Sequence, residues 1–283
     1  MCEVFRLPDM CSFRARIPKQ LVVGLLCGLC LSVSACAIHP PQPTLPIREA
    51  TADQLLAQLH QKESAIHTLK GLFRADLRGD GWPLSYRLNG VFWYQKPEMI
   101  RLKGFTRFGG LVFDFFLKHN RYTLSVPGER QYITGTLRDL EDNEGFAMPI
   151  RLSLMALETL LGRVVDKGDH DVKFFEEEDQ YRFDVSNSSL NTLGSQVPSI
   201  RRIWVDRRNF FVNRLECFTM MGEPTVAIRA EDFRPVLNGS LLEAETFMLP
   251  FHLYAVNKQD NGEVSLSFQE IIANRPIEQS QWQ

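Results

Sequence analysis

Apolar residues along the chain switch between two periods, and the switches divide it into elements. Leu55, Leu56, Leu59, Ile66 and Leu69 recur near helical spacing, and Thr51 with Gln54 makes a capping-box pair. Residues 51–68 are therefore predicted as an amphipathic helix closed by Gly71. From residue 72 to 137 the period drops to two, which predicts strands. Turns fall at Lys96-Pro97-Glu98, His119-Asn120-Arg121 and Pro127-Gly128-Glu129, giving a meander of hairpins. Some of these strands are apolar on both faces. In residues 111–117 one face carries Leu111, Phe113, Phe115 and Leu117, while Val112 and Phe116 flank Asp114 on the other. In residues 88–94 Phe92 and Tyr94 share one face, Val91 and Trp93 the other. A sheet wet on one side needs only one apolar face, so both faces are expected to be covered.

Helical spacing returns between Pro149 and Gly162, where Leu152, Leu154, Met155, Leu157, Leu160 and Leu161 cover most of the circumference. Such a helix is either part of the core or a movable cover on an apolar surface. Period two resumes after it. Phe174-Phe175, a charged turn at Glu176 to Asp179, and Tyr181, Phe183 and Val185 form one hairpin. Ile203 and Val205, the turn Asp206-Arg207-Arg208-Asn209, and Phe210 and Val212 form a second. Further strands are expected near residues 226–233 and 242–249. A last hairpin runs over residues 251–256, turns at Asn261-Gly262 and returns through Val264, Leu266 and Phe268. Between two N-terminal strands, Phe105 and Phe108 sit among Gly104, Gly109 and Gly110. Apolar side chains at a loop tip mark a contact surface, whereas a glycine-kinked strand would turn both rings into the core.

Residues 21–36 form an apolar run behind Arg6, Arg14, Arg16 and Lys19 and end in Val33-Ser34-Ala35-Cys36. A basic leader, an apolar run too short to span, and small residues before a cleavage point make a secretory signal over residues 1–35. Its removal leaves 248 of the 283 residues, an ordinary length for a single mainly β domain. It also takes four basic and two acidic residues, so 28 basic face 32 acidic ones, which argues against nucleic acid as a partner. Cys2, Cys11, Cys27 and Cys30 leave as well, and only Cys36 and Cys217 remain. Cys217, in a strand, is expected to be a buried, inert thiol. Residues 36–50 contain Pro40, Pro41, Pro43 and Pro46 and read as an extended tether, about 3.1 Å per residue and roughly 30–40 Å long. Residues 51–283 then make one domain.

Val33-Ser34-Ala35-Cys36 resembles the lipobox of bacterial lipoproteins, whose cysteine becomes the N-terminus and carries an N-acyl diacylglycerol. The alternative is an ordinary signal peptide with a chance cysteine. Lipobox, proline tether, N-terminal helix, long meander, mid-chain apolar helix and closing hairpin are together similar to the LolA/LolB family. So are Leu249-Pro250, Leu266-Ser267-Phe268 and Asn274-Arg275-Pro276-Ile277 near the end of the chain. The resemblance implies an α+β, mainly β fold: an incomplete, curved antiparallel half-barrel with helices plugging or lidding its concave side. It implies lipid or lipoprotein acyl chains as partners, a membrane contact through the anchor, and a periplasmic carrier protein as donor. On that reading Phe92, Tyr94, Leu102, Phe113 and Phe115 are candidates for the cavity lining. Leu152, Met155, Leu157 and Leu160 are candidates for the lid, and Phe105, Phe108 and Leu111 for a membrane or partner loop. Ala37 after the cysteine, in place of aspartate, implies the outer membrane, with the domain facing the periplasm.

Catalytic chemistry finds little to stand on. There is no G-x-S-x-G, H-E-x-x-H, G-x-x-x-x-G-K-[ST] or G-x-G-x-x-G, and neither a catalytic nor a metal site is expected, so no enzyme activity and no cofactor beyond the acyl anchor. Asp169-His170-Asp171 could hold a metal in principle, but consecutive residues on an extended segment point in alternating directions. His60 and His67 read as solvent-side helix residues, and Glu176 to Asp179 as a solvated hairpin tip. Arg201, Arg202, Arg207 and Arg208 read as a solvated strand end or, failing that, as a contact to anionic head groups. The rival to lipid binding is a structural or assembly lipoprotein whose sheet has no cavity and whose apolar loop docks on a protein.

Overall fold

Strands from the two ends of the chain meet in the middle of one sheet, and the rest of the architecture is arranged around that pairing. In the computed structural model, residues 45–79, 86–97, 99–140, 147–163, 171–187, 199–239, 246–259 and 261–282 are described. The leader, Cys36 and most of the tether lie outside them. The N-terminal strands are β1 (Thr68–Arg78), β2 (Tyr86–Gln95), β3 (Met99–Phe105), β4 (Leu111–Lys118), β5 (Arg121–Val126) and β6 (Gln131–Thr136). The C-terminal strands are β7 (Asp171–Glu176), β8 (Gln180–Asn187), β9 (Ser199–Asp206), β10 (Val212–Thr219), β11 (Pro224–Leu237), β12 (Thr246–Asn257) and β13 (Glu263–Ala273). They form a 13-stranded antiparallel sheet in the order β6-β5-β4-β3-β2-β1-β13-β12-β11-β10-β9-β8-β7, curved and not closed into a barrel. Leu69 lies opposite Ala273 and Leu77 opposite Val264, with a bulge between Leu72 and Phe73.

This order dictates where the long helix must go. Helix α2 (Ala147–Leu161) follows β6 and precedes β7, which are the two free edges of the sheet. The connecting chain therefore has to cross the sheet, and α2 does so on the concave side, against β11, β12 and β13. Alternation aims Leu69, Phe73, Ala75 and Leu77 of β1 and Leu88, Phe92 and Tyr94 of β2 inward, all buried. Helix α1 (Ala52–Ala65) begins on the expected capping box: Gln54 N donates to Thr51 Oγ1 (3.3 Å) and Thr51 N to Gln54 Oε1 (2.9 Å).

Three sequence expectations change. Helix α1 stops at Ala65, and Ile66 is already extended, so Leu69 and Gly71 belong to β1. From Leu69 on, alternate residues are needed for the concave face, and that burial overrides the helical spacing. Residues 242–249 and 251–256 are not separate strands, because β12 runs unbroken through Pro250. Proline is tolerated there because the ladder skips the pair Asp232–Phe251, where Asp232 has φ 56°. The second apolar face of β3 and β4 is covered by the chain's own end rather than by a second layer. Arg101 binds Asp114 through Nε (2.9 Å) and Nη2 (2.7 Å) and donates from Nη1 to Gln281 O (2.8 Å), and Trp282 lies 6.0 Å from the Phe116 ring.

Asn274 ties helix to sheet. Its Oδ1 accepts from His67 N (2.8 Å) and its Nδ2 donates to Ala65 O (2.8 Å), so both orphan groups at the α1–β1 corner are satisfied. Its own N–H donates to Thr68 O (2.9 Å), with φ 52°. Asparagine enters this left-handed region more readily than most residues. Asn274→Ala is expected to cost about 1–2 kcal/mol, since the exposed His67 N–H and the half-buried Ala65 carbonyl both lose this partner. Asn274→Gly should be no better despite its freer backbone. Denaturant unfolding measures both, and a glycine variant as stable as wild type would show that the backbone angle alone matters.

Candidate functional site

The concave face is floored with phenylalanine rings laid over glycines of the neighbouring strand. Phe92 covers Gly71, Phe73 covers Gly90 and Phe113 covers Gly104, each pair directly opposite in register. A methyl group at any of these glycines would overlap the ring above it. Each glycine lets an aromatic lie flat instead of standing up from the sheet, which leaves a smooth apolar floor.

Two voids remain between this floor and α2. The larger, about 20 Å³, is walled by Phe73, Ala75 and Leu77 of β1, Leu88 of β2, Leu102 of β3 and Phe113 of β4. Leu266 and Phe268 of β13 continue the wall, and Pro149, Ile150, Ser153 and Leu157 of α2 close it. Ser153 carries the one polar side chain of the lining, and its hydroxyl is satisfied by Pro149 O (2.7 Å). The smaller void, about 10 Å³, lies between Leu69, Phe92, Tyr94 and Ile100 and the end of α2 at Leu157, Leu160 and Leu161. Each has room for about one water molecule. The trough is apolar and closed.

Of the predicted lining, Leu102 and Phe113 border the larger void and Phe92 and Tyr94 the smaller. Phe115 is fully buried on the same face, stacked 5.7 Å from Tyr122, and borders neither. Of the predicted lid residues, Leu157 and Leu160 face the voids. At about 100° per residue Leu152 and Met155 fall on the opposite side of α2. Sequence reading missed Phe73, Ala75, Leu77, Leu266 and Phe268, although their spacing of two carried the signal.

One end of the trough is stoppered. Glu63 of α1 pairs with Arg163 just beyond α2 (3.0 Å), and Gly162 takes φ 77° to end that helix. Lys62 of α1 lies over the Phe211 ring (5.7 Å), itself stacked on Phe233 (4.7 Å), and burial pushes its ammonium down from an ordinary 10.5 to about 8. At this end Arg207 is not solvated, contrary to expectation: it is buried, pairs with Glu176 (2.7 Å) and lies 4.9 Å over Tyr181, while the half-buried Arg208 meets Asp179 (3.7 Å). Arg201, buried, and Arg202, half-buried and 3.5 Å from Asp184, lie within β9 rather than at its tip. The acidic β7–β8 tip and the basic β9–β10 tip are neighbours in the sheet and neutralise each other. The incoming chain is fastened here too, through Arg48 N to Arg207 O (3.0 Å) and Ala50 N to Tyr181 Oη (2.8 Å).

The other end carries the β3–β4 turn. Phe108 is 97% exposed at its tip and Leu111 is exposed beside it, while Phe105 is half-buried at the end of β3. The exposed-tip alternative therefore holds for Phe108. His67 lies in the α1–β1 corner rather than on a helix. Cys217 is buried in β10, and desolvation raises its thiol to about 11, so it is inert at neutral pH. Asp169 and His170 lie outside the described residues, among which no metal-binding group occurs.

No protein-family model and no curated protein matches the chain. Solved structures do. A LolA superfamily protein from Nitrosomonas europaea superposes with a TM-score of 0.52 over 83% of this chain and 98% of its own, at 11% identity. A domain named as an outer membrane lipoprotein-sorting protein from Vibrio parahaemolyticus gives 0.54 over 81% and 94%, at 9% identity. The fold is LolA/LolB-like. A DUF1329 family protein from Desulfovibrio piger shares this LolA/LolB-like fold, with a TM-score of 0.51 over 81% and 94% at 7% identity.

Lys62 gives the stopper a pH signature. Because folding lowers its pKa, the cost of burying its charge is fully present below pH 8 and fades as pH rises towards 10.5. Lys62→Met is expected to raise the Tm at pH 7 and to abolish the gain in stability between pH 8 and 10.5. Thermal unfolding across that range checks it, and an equal gain at every pH would refute the assignment.

Proposed function

We propose that this is a lipid-anchored lipoprotein of the bacterial outer membrane that holds an acyl chain, of a lipid or of another lipoprotein, between the phenylalanine floor and α2. The observation that carries the reading is the continuous apolar lining of the sheet under the apolar face of α2. Lifting Ile150, Leu157 and Leu160 into water would cost about 1.5–3 kcal/mol each, so the trough does not stand open empty. An acyl chain that replaces them removes that exposure and contributes about 0.8 kcal/mol per methylene buried from water. Opening and binding are thus one event, and transfer runs down a gradient of affinity from a periplasmic carrier through this domain to the bilayer. No nucleophile, metal or nucleotide takes part.

One observation favours the rival, a structural lipoprotein acting through protein contacts: the trough as it stands is filled by side chains. Ser153→Thr separates the two. Threonine adds one methyl group to the larger void and keeps the hydroxyl for Pro149 O, which stabilises the closed form by about 0.8 kcal/mol and lowers apparent affinity for a fluorescent fatty acid about fourfold. Wild-type protein that neither takes up the probe nor yields co-purified lipid by mass spectrometry would falsify the acyl-chain reading and leave the structural one.

The anchor has its own test. Cys36→Ser is expected to abolish labelling of the chain by radioactive palmitate and release it from the membrane fraction. Unchanged labelling would move the acyl group elsewhere.

A further inference from the structure

Exposed apolar side chains are unevenly distributed between the two ends of the sheet. The strands alternate in direction, so the turns after β1, β3, β5, β10 and β12 lie at one end, and those after β2, β4, β7 and β9 at the other. At the first end are Tyr86, Phe108, Leu111, Tyr132, Met220 and Met221, all exposed. Met221 is 91% exposed, Met220 60% and Phe108 97%. At the second end, where the chain enters and the charged tips pair, are Ile47 and Phe175, with Leu45 preceding Ile47 in the chain and Leu72 exposed within β1. Neither methionine nor tyrosine here was singled out by sequence reading.

The two most exposed tips lie on either side of the β1–β13 seam. Met220-Met221 cap the β10–β11 hairpin, whose turn is closed by Gly222 at φ 84° and by Gly222 N donating to Thr219 O (2.9 Å). Phe108 caps the β3–β4 hairpin, closed by Gly109 at φ 86° and by Gly109 N donating to Thr106 O (3.0 Å). Between these hairpins in the sheet lie β2, β1, β13 and β12, a span of about 24 Å at about 4.8 Å per strand. Three of those four strands line the larger void, which lies towards this end because Leu77, Leu88 and Phe113 are near the ends of their strands. Both tips stand at the end of the sheet towards which the larger void lies.

We infer that this end of the sheet is a bilayer-contact surface, with Met220-Met221 as a second insertion element beside Phe108 and with Tyr86 and Tyr132 at head-group level. Single apolar side chains on tight turns, separated by sheet edge, do not make the continuous patch of about 800 Å² that a stable protein partner covers. A fluid interface accepts each tip without a matching pocket, and tyrosine favours the boundary where one end is apolar and the other wet. Charge agrees with a lipid surface. Among the described residues here, exposed Arg78, Arg87, Arg107, Arg130 and Lys258 outnumber exposed Glu129, Asp171 and Glu223. The orientation sets the end of the trough nearer the larger void against the bilayer, so a chain entering there as α2 lifts moves between the two without crossing water. That last consequence rests on the acyl-chain reading. The contact surface does not.

The test uses the chain from residue 36 with Cys36→Ser, so that no anchor contributes, and an environment-sensitive fluorophore on Met221→Cys, Phe108→Cys or, as control at the opposite end, Glu178→Cys. Buried Cys217 stays unlabelled. With phosphatidylethanolamine–phosphatidylglycerol vesicles, nitroxide-bearing lipids are expected to quench the probe at 221 and 108 and not at 178. Met220→Ser with Met221→Ser should lower vesicle partitioning by about tenfold or more while leaving fatty-acid uptake in solution unchanged. Quenching at 108 alone overturns the second element, and quenching at neither site overturns the surface, whatever the uptake assay reports. A spectral shift at 221 that grows with protein concentration without vesicles assigns this end to a second copy of the chain and also overturns the inference.

Discussion

The pairing of β1 with β13 is the contact on which the structure depends. It joins two meanders, one from each half of the chain, into one sheet and leaves β6 and β7 as the free edges. A chain that leaves one edge and must reach the other has to cross the sheet. Placing α2 on the concave side buries its apolar circumference and the curved face together, which neither could achieve alone. The register is over-determined at this seam: Phe73 lies opposite Phe268, Leu77 opposite Val264, and Asn274 binds the α1–β1 corner immediately below. A slip of one residue would turn every one of these side chains to the other face.

Curvature and smoothness of the floor come from pairs of residues rather than from single ones. An aromatic opposite a glycine lies down, where an aromatic opposite a branched residue would stand up and fill the trough. Three such pairs on adjacent strands turn a strongly aromatic region into a lining against which a helix, and on the proposed reading an acyl chain, can slide. Close approach of α2 then leaves only water-sized voids. The closed state is thus a packed core with a removable member, and its opposition to opening is the apolar exposure that a ligand would cancel.

The two ends of the sheet differ in kind. At one, an acidic and a basic hairpin tip neutralise each other, arginines lie over Tyr181, Phe210 and Phe175, and α1 seals the trough. At the other, apolar and tyrosine side chains stand exposed on the turns. Charge paired within the molecule stabilises the stoppered end without a partner, whereas exposed methionine and phenylalanine gain nothing from water. That asymmetry gives the domain a direction.

Much was legible in the chain itself. Thr51 with Gln54 marks the start of α1, alternation marks nearly every strand, and an apolar circumference marks α2, because each is a local rule of spacing or capping. Phe92, Tyr94, Leu102, Phe113 and Phe115 share a face because side chains alternate along a strand, which needs no knowledge of partners. What lay opposite them did need it. The helix continuing to residue 68 and the break at Pro250 were local readings that sheet pairing overrode. Arg207, expected at a solvated strand end, is instead buried because the β7–β8 and β9–β10 tips meet at one end of the sheet. Leu152 and Leu157 are alike in sequence, yet only Leu157 meets the trough. The gathering of Phe108 and Met221 at one end follows from strand direction in a sheet whose order places the chain's two halves side by side. Local spacing determined the elements and their apolar faces, and long-range pairing alone decided which faces meet and which tips share an end.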